Sequence, residues 1–199
     1  MEKVYDVCSS FYDVVFGQVF HKGRLMAPAL LDMTPDNHLL EVGVGTGLSI
    51  PHLPAEVQFT GVDLSEKMLN RAKERVAKMG RNSIQLLQMD ATHLDFPDNT
   101  FDHVLAAYFI STVPDPVRCV EEMKRVCKPG GHLVFVNHFK STNKLIGAVD
   151  ELFSPLCYRI GFHMNLDLHK LLADTSLEAE TLKRVDFRGQ WKAVRCINP

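Results

Sequence analysis

A chain of 199 residues, 46% hydrophobic and 23% charged, has the composition of an ordinary globular protein with room for one sizeable core. Its formal net charge of -2 supplies no strong pull toward nucleic acid or an anionic surface, which argues against a nucleic-acid partner. No charge-poor apolar run reaches the ~20 residues a bilayer span needs, and the start, Met1-Glu2-Lys3-Val4-Tyr5-Asp6, lacks the basic-then-apolar order of a secretory signal, so a cytoplasmic location is expected.

In chain order, Met1 to about Met33 carries an aromatic-rich, partly amphipathic stretch with Tyr5, Phe11, Tyr12, Phe16 and Phe20. It reads as an N-terminal cap (residues 1–33) over a substrate. His38 to Val42 is an apolar strand that enters a glycine turn, and Val57 to Val62 is a second strand closing on Asp63. Ser65 is a good helix N-cap, and the helix it opens runs to Met79 and stops at Gly80. Ile84 to Met89 is a third strand, ending at Asp90, and Phe101 to Ala107 is a fourth.

Pro114 to Cys127 has apolar residues at helical spacing, Val117, Val120, Met123 and Val126. Lys128-Pro129-Gly130-Gly131 then predicts a sharp stop and a turn into a fifth strand, His132 to Val136. Residues 140–173 lie outside this alternation. There Leu145, Ile146, Val149, Leu152, Phe153 and Leu156 repeat at helical spacing, as an interfacial lid or as a buried crossover helix. Leu177 to Phe187 and Trp191 to Ile197 are joined by so short a connection that they must pair antiparallel. The expectation is a single α/β domain over 1–199, with a mostly parallel sheet, helices on both faces and a C-terminal antiparallel hairpin.

Five cysteines without C-x-x-C spacing, and nine scattered histidines with no H-x-x-x-H pair, suggest neither a disulfide framework nor a metal. The strongest chemical signal is Glu41-Val42-Gly43-Val44-Gly45-Thr46-Gly47. Glycines let the backbone turn off the strand and approach a ligand, and a helix after them would aim free N–H groups at a negative group. A dinucleotide fingerprint needs glycine at position 48, where Leu48 stands, so a nicotinamide-dependent oxidoreductase is disfavoured. Asp63 ends its strand where a carboxylate can accept both hydroxyls of a ribose, and Asp90 ends the next, where it could accept from an adenine amino group.

The strings LLEVGVGTG, GVDLSEKML, MDATHLDFPDNTFDHV and RVCKPGGHLVFV together resemble class I S-adenosylmethionine-dependent methyltransferases, which have a Rossmann-like fold. The resemblance implies S-adenosylmethionine as cofactor. Glu41, Gly43, Gly45 and Gly47 would hold the methionine end, Asp63 the ribose and Asp90 the adenine. Leu64, Met68 and Ala91 would line the adenine slot, with Tyr5 and Tyr108 also at the cofactor. Such an enzyme mainly aligns an activated donor with its acceptor, a positioning effect that can supply ~7–11 kcal/mol, so no catalytic triad is expected.

More narrowly, Tyr5…Tyr12-Asp13…Phe16-Gly17, Val113-Pro114-Asp115-Pro116 and Val136-Asn137-His138-Phe139 resemble soluble bacterial phosphatidylethanolamine N-methyltransferases. That resemblance implies a phospholipid head-group amine as acceptor, a monomer and weak peripheral contact with the inner membrane face. Tyr5, Tyr12, Asn137, His138, Arg159 and His163 would meet the substrate. His138, as general base or phosphate ligand, and Tyr108 would be the catalytic side chains. Such an amine has a pKa near ~10.4 and must lose a proton to attack, while aromatic rings would favour a growing quaternary ammonium by ~0.5–2 kcal/mol per contact. The competing readings are a methyltransferase acting on a quinone precursor or another small or lipid amine, and a non-catalytic module that only binds S-adenosylmethionine.

Overall fold

The computed structural model describes residues 21–81, 83–140, 165–186 and 190–199. Seven strands form one sheet: β1 (His38–Val42), β2 (Gln58–Asp63), β3 (Ile84–Gln88), β4 (Phe101–Ala107), β5 (Cys127–His138), β6 (Ala179–Arg184) and β7 (Trp191–Ile197). Their order is β3-β2-β1-β4-β5-β7-β6. The first five run parallel, and β7 lies antiparallel to both β5 and β6. The order reverses direction between β1 and β4, the topological switch point where open α/β sheets bind ligands.

The central strands are apolar on both faces because helices cover both. Side chains alternate along each strand, so Leu40, Val104 and Phe135 enter one core layer while Leu39, Leu105 and Val134 enter the other. Helix α1 (His21–Met26) leads into a short 3-10 turn at Pro28–Leu30, whose Leu30 joins the second layer together with Leu69 of α2 (Glu66–Met79). Helix α3 (Pro116–Val126) buries Cys119, Val120, Met123 and Val126 in the first layer. Ser65 caps α2 by accepting from the Met68 N–H, and Gly80 ends it in the left-handed conformation. Asp115 caps α3 in the same way, with Pro116 in the first turn where a missing N–H costs nothing.

Four local features differ from the sequence-based expectation. The run Lys128-Pro129-Gly130-Gly131 is part of β5 rather than a turn before it, since Cys127 pairs with Phe101 and a register shift absorbs the glycines. Any side chain at Gly131 would collide with the Asp102 carbonyl, 2.3 Å from where its Cβ would lie. Asn198 holds this stretch by donating from Nδ2 to the Cys127 carbonyl at 2.8 Å and accepting at its own carbonyl from the Gly130 N–H at 2.9 Å.

The glycine turn after β1 leads into no helix, only a 3-10 turn at Ile50–His52. Pro51 and Pro54 each lack the N–H that a continuing helix would use. The segment expected as a cover over 140–173 ends in α4 (Leu168–Asp174), whose Leu168, Leu171 and Leu172 are buried in the first core layer; the remainder of the expected lid, residues 141–164, lies outside the described residues. The first hairpin strand is also shorter than the expected Leu177 to Phe187. As an edge strand β6 exposes Glu180, Lys183 and Arg184, charges that discourage pairing with another sheet. Among the described residues, no helix is long and apolar enough to cross a membrane.

At the other end of the sheet from the glycine turn, His103 and His132 stack with ring centroids 4.9 Å apart. The His103 Nδ1 accepts from the His132 backbone N–H at 3.2 Å, and its Nε2 lies 3.2 Å from the Asn37 Oδ1. Both contacts need the neutral ring protonated on Nε2. Burial, then the neighbouring His132 charge, lowers its pKa from 6.5 to about 4. The unfolded chain therefore takes up this proton first, and the stability contributed by neutral His103 is present above pH 6.5 and lost as pH falls toward about 4. The urea midpoint of the protein relative to His103→Gln, which keeps a neutral acceptor but cannot titrate, should fall across that window. A constant difference would show that His103 titrates normally.

Candidate active site

At the carboxyl ends of β1, β2, β3 and β4 lies a cavity of about 380 Å³, within the ~300–1,000 Å³ usual for small-molecule and cofactor sites. Its first wall is the turn that leaves β1. The Gly43 and Val44 N–H groups both donate to the Val62 carbonyl, at 2.9 and 3.0 Å, and the Gly45 N–H donates to Asp63 Oδ2 at 2.8 Å. Gly43 adopts a φ of +72° and presses so close to Phe109 that a Cβ there would lie 2.1 Å from the ring. The Gly47 N–H closes the turn onto the Val44 carbonyl at 3.0 Å. Gly47 itself does not line the cavity; it packs against Ile50 and Ala72, allowing α2 to approach the turn.

These bonds have a chemical consequence. The expected anion site, a helix N-terminus with free amides, does not form, and the amides of Gly43, Val44, Gly45 and Gly47 are spent holding the turn to β2 and to itself.

Glu41 is buried at the end of β1 and accepts a hydrogen bond from the Ser49 hydroxyl. Burial pushes its pKa from 4.5 up to about 7, although that bond and the nearby Arg24 charge both act the other way. Asp63 accepts from Gly45 at one oxygen and from the Ser65 N–H, at 2.9 Å, at the other. Burial raises its pKa against these bonds. The Leu64 N–H bonds the carboxylate as well, and of its roughly four lone-pair sites one stays for a ligand hydroxyl. Asp90 uses Oδ1 to accept from the Thr92 N–H and hydroxyl, both at 2.8 Å, which fixes the loop after β3 and leaves Oδ2 for another donor. Met68 and Ala91 are buried in the wall, and Leu64, 56% exposed, stands at the cavity rim.

Tyr108, at the tip of β4, has a φ of +61°, which is strained for an aromatic residue. The surroundings fix it there: its N–H donates to the Val136 carbonyl at 2.5 Å, and its ring packs on Trp191 at 5.3 Å. Its hydroxyl bonds to the backbone of Gly23, where any Cβ would lie 2.0 Å from the phenol oxygen. Burial raises the phenol pKa well above its ordinary value, so it stays protonated and cannot serve as a base near neutrality.

The other expected site residues are distributed differently. Asn137 is fully buried, with Oδ1 accepting from the Ser111 N–H and hydroxyl and Nδ2 donating to the His138 carbonyl. His138 is also buried and meets the edge of Trp191 at 5.2 Å, so Trp191 and Tyr108 follow one another between it and the cavity. Neither side chain is among the described residues lining the cavity. Tyr5, Tyr12, Arg159 and His163 lie outside the described residues. Arg24, Thr112, Asp115 and Arg118 line the cavity but were missed by the sequence reading. For the first of them the sequence offered no signal, since Arg24 follows Lys22 and Gly23 as one basic residue of a short basic stretch.

The described lining holds four carboxylates, Glu41, Asp63, Asp90 and Asp115, against two guanidinium groups, Arg24 and Arg118. That excess of negative charge matches a ligand with net positive charge. A sulfonium nucleoside bearing an amino-acid end is one: it has a cationic sulfur, an ammonium and one carboxylate. Its hydroxyls and adenine amino group also match the acceptors Asp63 and Asp90. The residues present fit the group.

Residues 40–135, which contain most of β1, all of β2 to β4 and most of β5, match a methyltransferase domain family. The chain is 42% identical over 170 residues to a phosphatidylethanolamine N-methyltransferase of Cereibacter sphaeroides, covering 85% of this chain and 83% of that one. It is 31% identical over 145 residues to a demethylmenaquinone methyltransferase of Listeria monocytogenes, covering 69% of this chain and 61% of that one. The crystal structure of the YcgJ protein from Bacillus subtilis superposes with a TM-score of 0.75 at 18% identity, covering 89% and 98% of the two chains, a likeness of fold. With a relative this similar over most of both lengths, and a family match across the strands that build the cavity, the chain belongs to the class I S-adenosylmethionine-dependent methyltransferases, and S-adenosylmethionine is its cofactor.

Proposed function

We propose that this methyltransferase acts on the amine of a phospholipid head group, phosphatidylethanolamine and its methylated forms, toward phosphatidylcholine. The observation that carries this reading is the 42% identity, over 85% of the chain, to a relative named for that acceptor. The quinone-directed relatives match less of this chain, 69%, at lower identity. A lipid acceptor calls for contact with a membrane surface. With a net charge of -2 that contact would be weak and reversible, made by a monomer.

The cofactor supplies a methyl group already activated on sulfonium sulfur, so the protein's task is to hold and align. In this reading Glu41 takes the ammonium of the methionine end, beside the turn of Gly43 and Gly45. Asp63 accepts from the ribose hydroxyls and Asp90 Oδ2 from the adenine amino group. Met68, Ala91 and Leu64 flank the base. Tyr108 and Phe109, at the tip of β4, form the apolar wall next to the methionine end and exclude water there. Asn137 shapes this wall through Ser111, and His138 supports it through Trp191. Tyr5, Tyr12, Arg159 and His163 are assigned to the acceptor.

Asp63→Ala should lower S-adenosylmethionine affinity roughly 10- to 100-fold, the worth of hydrogen bonds to a charged group, while the chain still folds. Calorimetric titration paired with a melting curve reads this; an unaltered affinity would remove the ribose assignment.

Glu41 gives the site a pH dependence. It must be ionised to hold an ammonium, yet its own pKa is about 7. As pH falls from 7 to 5, protonation competes with the ligand, whose α-amine, with a pKa near ~7.7–8.0, stays charged throughout. The dissociation constant should therefore rise, approaching about tenfold per unit. Glu41→Gln should bind weakly with that slope abolished. A slope that survives the substitution would place the titrating group elsewhere.

Vesicles of phosphatidylethanolamine incubated with protein and methyl-labelled donor should yield labelled mono-, di- and trimethylated lipid. Label appearing in a quinone precursor but not in lipid would favour the alternative acceptor. Donor binding without transfer to either would point to a non-catalytic module.

A further inference from the structure

We propose that Arg24, carried by α1, is the anion-binding residue of the cofactor site and takes the α-carboxylate of the methionine end, opposite Glu41. The inference rests on the cofactor reading above and not on the identity of the acceptor.

Burying a carboxylate requires charge-assisted donors. The device expected for it, free amides at a helix start after the glycine turn, is replaced by a 3-10 turn, and four amides of the glycine turn are committed within the protein. An entering carboxylate would also meet two like charges there, Glu41 and Asp63. A cation must offset them. Of the two arginines among the described lining residues, Arg118 is half-exposed and tied to the adenine side, donating to the Thr92 carbonyl at 3.2 Å and to Glu122 at 3.3 Å. Arg24 is only 7% exposed, lines the cavity, and couples electrostatically to Glu41.

Its placement is built. The Arg24 guanidinium lies 5.1 Å from the centre of the Tyr108 ring, a cation–π arrangement. That ring is held by the left-handed backbone of Tyr108, by Trp191 and by the phenol bond to the Gly23 backbone. Gly23 precedes Arg24, and only its missing side chain lets the phenol sit there, so one contact fixes both the ring and the start of the arginine. Arg24 and Glu41 then present a positive and a negative group from two elements, the arrangement that recognises a zwitterion. The planar fork of a guanidinium suits a carboxylate better than a lysine ammonium would.

The probes are S-adenosylhomocysteine, which has the amino-acid end, and 5′-methylthioadenosine, which lacks it. Both are titrated calorimetrically into the full chain, Arg24→Met and Arg24→Lys. Arg24→Met should weaken S-adenosylhomocysteine binding roughly 10- to 100-fold, the worth of a hydrogen bond to a charged group, and leave methylthioadenosine unaffected. Arg24→Lys, which keeps the charge and tests the site if Arg24→Met does not fold, should lose part of the first affinity and none of the second. Equal losses for both probes would make Arg24 a support for Tyr108 and overturn the proposal. Unaltered binding of both would overturn it too, and if the KM for phosphatidylethanolamine rose at the same time, the arginine would be reading the lipid phosphate. A wild-type chain that binds neither probe would refute the cofactor reading itself.

Discussion

The active site depends on how β1 is tied to β2 where the two strands end. The chain leaving β1 does not coil into a helix; it bends back so that the Gly43 and Val44 amides share the Val62 carbonyl and the Gly45 amide meets Asp63. Those bonds fix the distance between Glu41 and Asp63, two of the acids that line the cavity. They require glycine where the turn presses on Phe109, since a Cβ at position 43 would occupy the space of that ring. The cavity is thus the space left when two parallel strands end together and the turn between them is too tight to fill it.

Holding acids in that space has an electrostatic cost, visible in the raised pKa values of Glu41 and Asp63. Two adjacent carboxylates, partly starved of water, are costly without a cation. A sulfonium nucleoside supplies positive charge on binding, so the unfavourable electrostatics of these acids become affinity for such a ligand. Arg24 qualifies this picture, because the ligand also carries a carboxylate that such an acidic pocket would repel. On that proposal, a sheet that supplies acids and a preceding helix that supplies the base would together recognise both ends of an amino acid.

The wall at the tip of β4 is built from rings. Tyr108 is held in a strained backbone conformation by contacts on three sides, from α1, β5 and β7. Trp191 backs it, and His138 stands behind Trp191. Strain maintained by surrounding structure in this way is typical of positions where a wall must not move. Asn137 and His138, at the end of β5, serve this wall from behind, since their side chains face Ser111 and Trp191.

Much of the architecture was legible in the residues. Runs such as Leu39-Leu40 and Val134-Phe135-Val136, followed or preceded closely by glycines, read as strands buried on both faces, Ser65 and Gly80 bracket a helix, and the short link before Trp191 requires antiparallel pairing. That Asp63 and Asp90 reach the cavity was legible too, because each stands at the close of a strand pattern. These features are local, set by spacing, propensity and capping within a few residues. Three others were decided only by the fold. Whether amides of the glycine turn point outward or bond inward depends on Val62 and Asp63, about twenty residues on. That β5 begins at Cys127, through its glycines, depends on Phe101 and on Asn198 at the far end of the chain. That Arg24 enters the cavity while Asn137 and His138 turn away from it depends on where Tyr108 and Trp191 pack. A sequence fixes which groups a segment offers; which of them reach a site is set by contacts between segments far apart in the chain, and these exist only once the sheet has assembled.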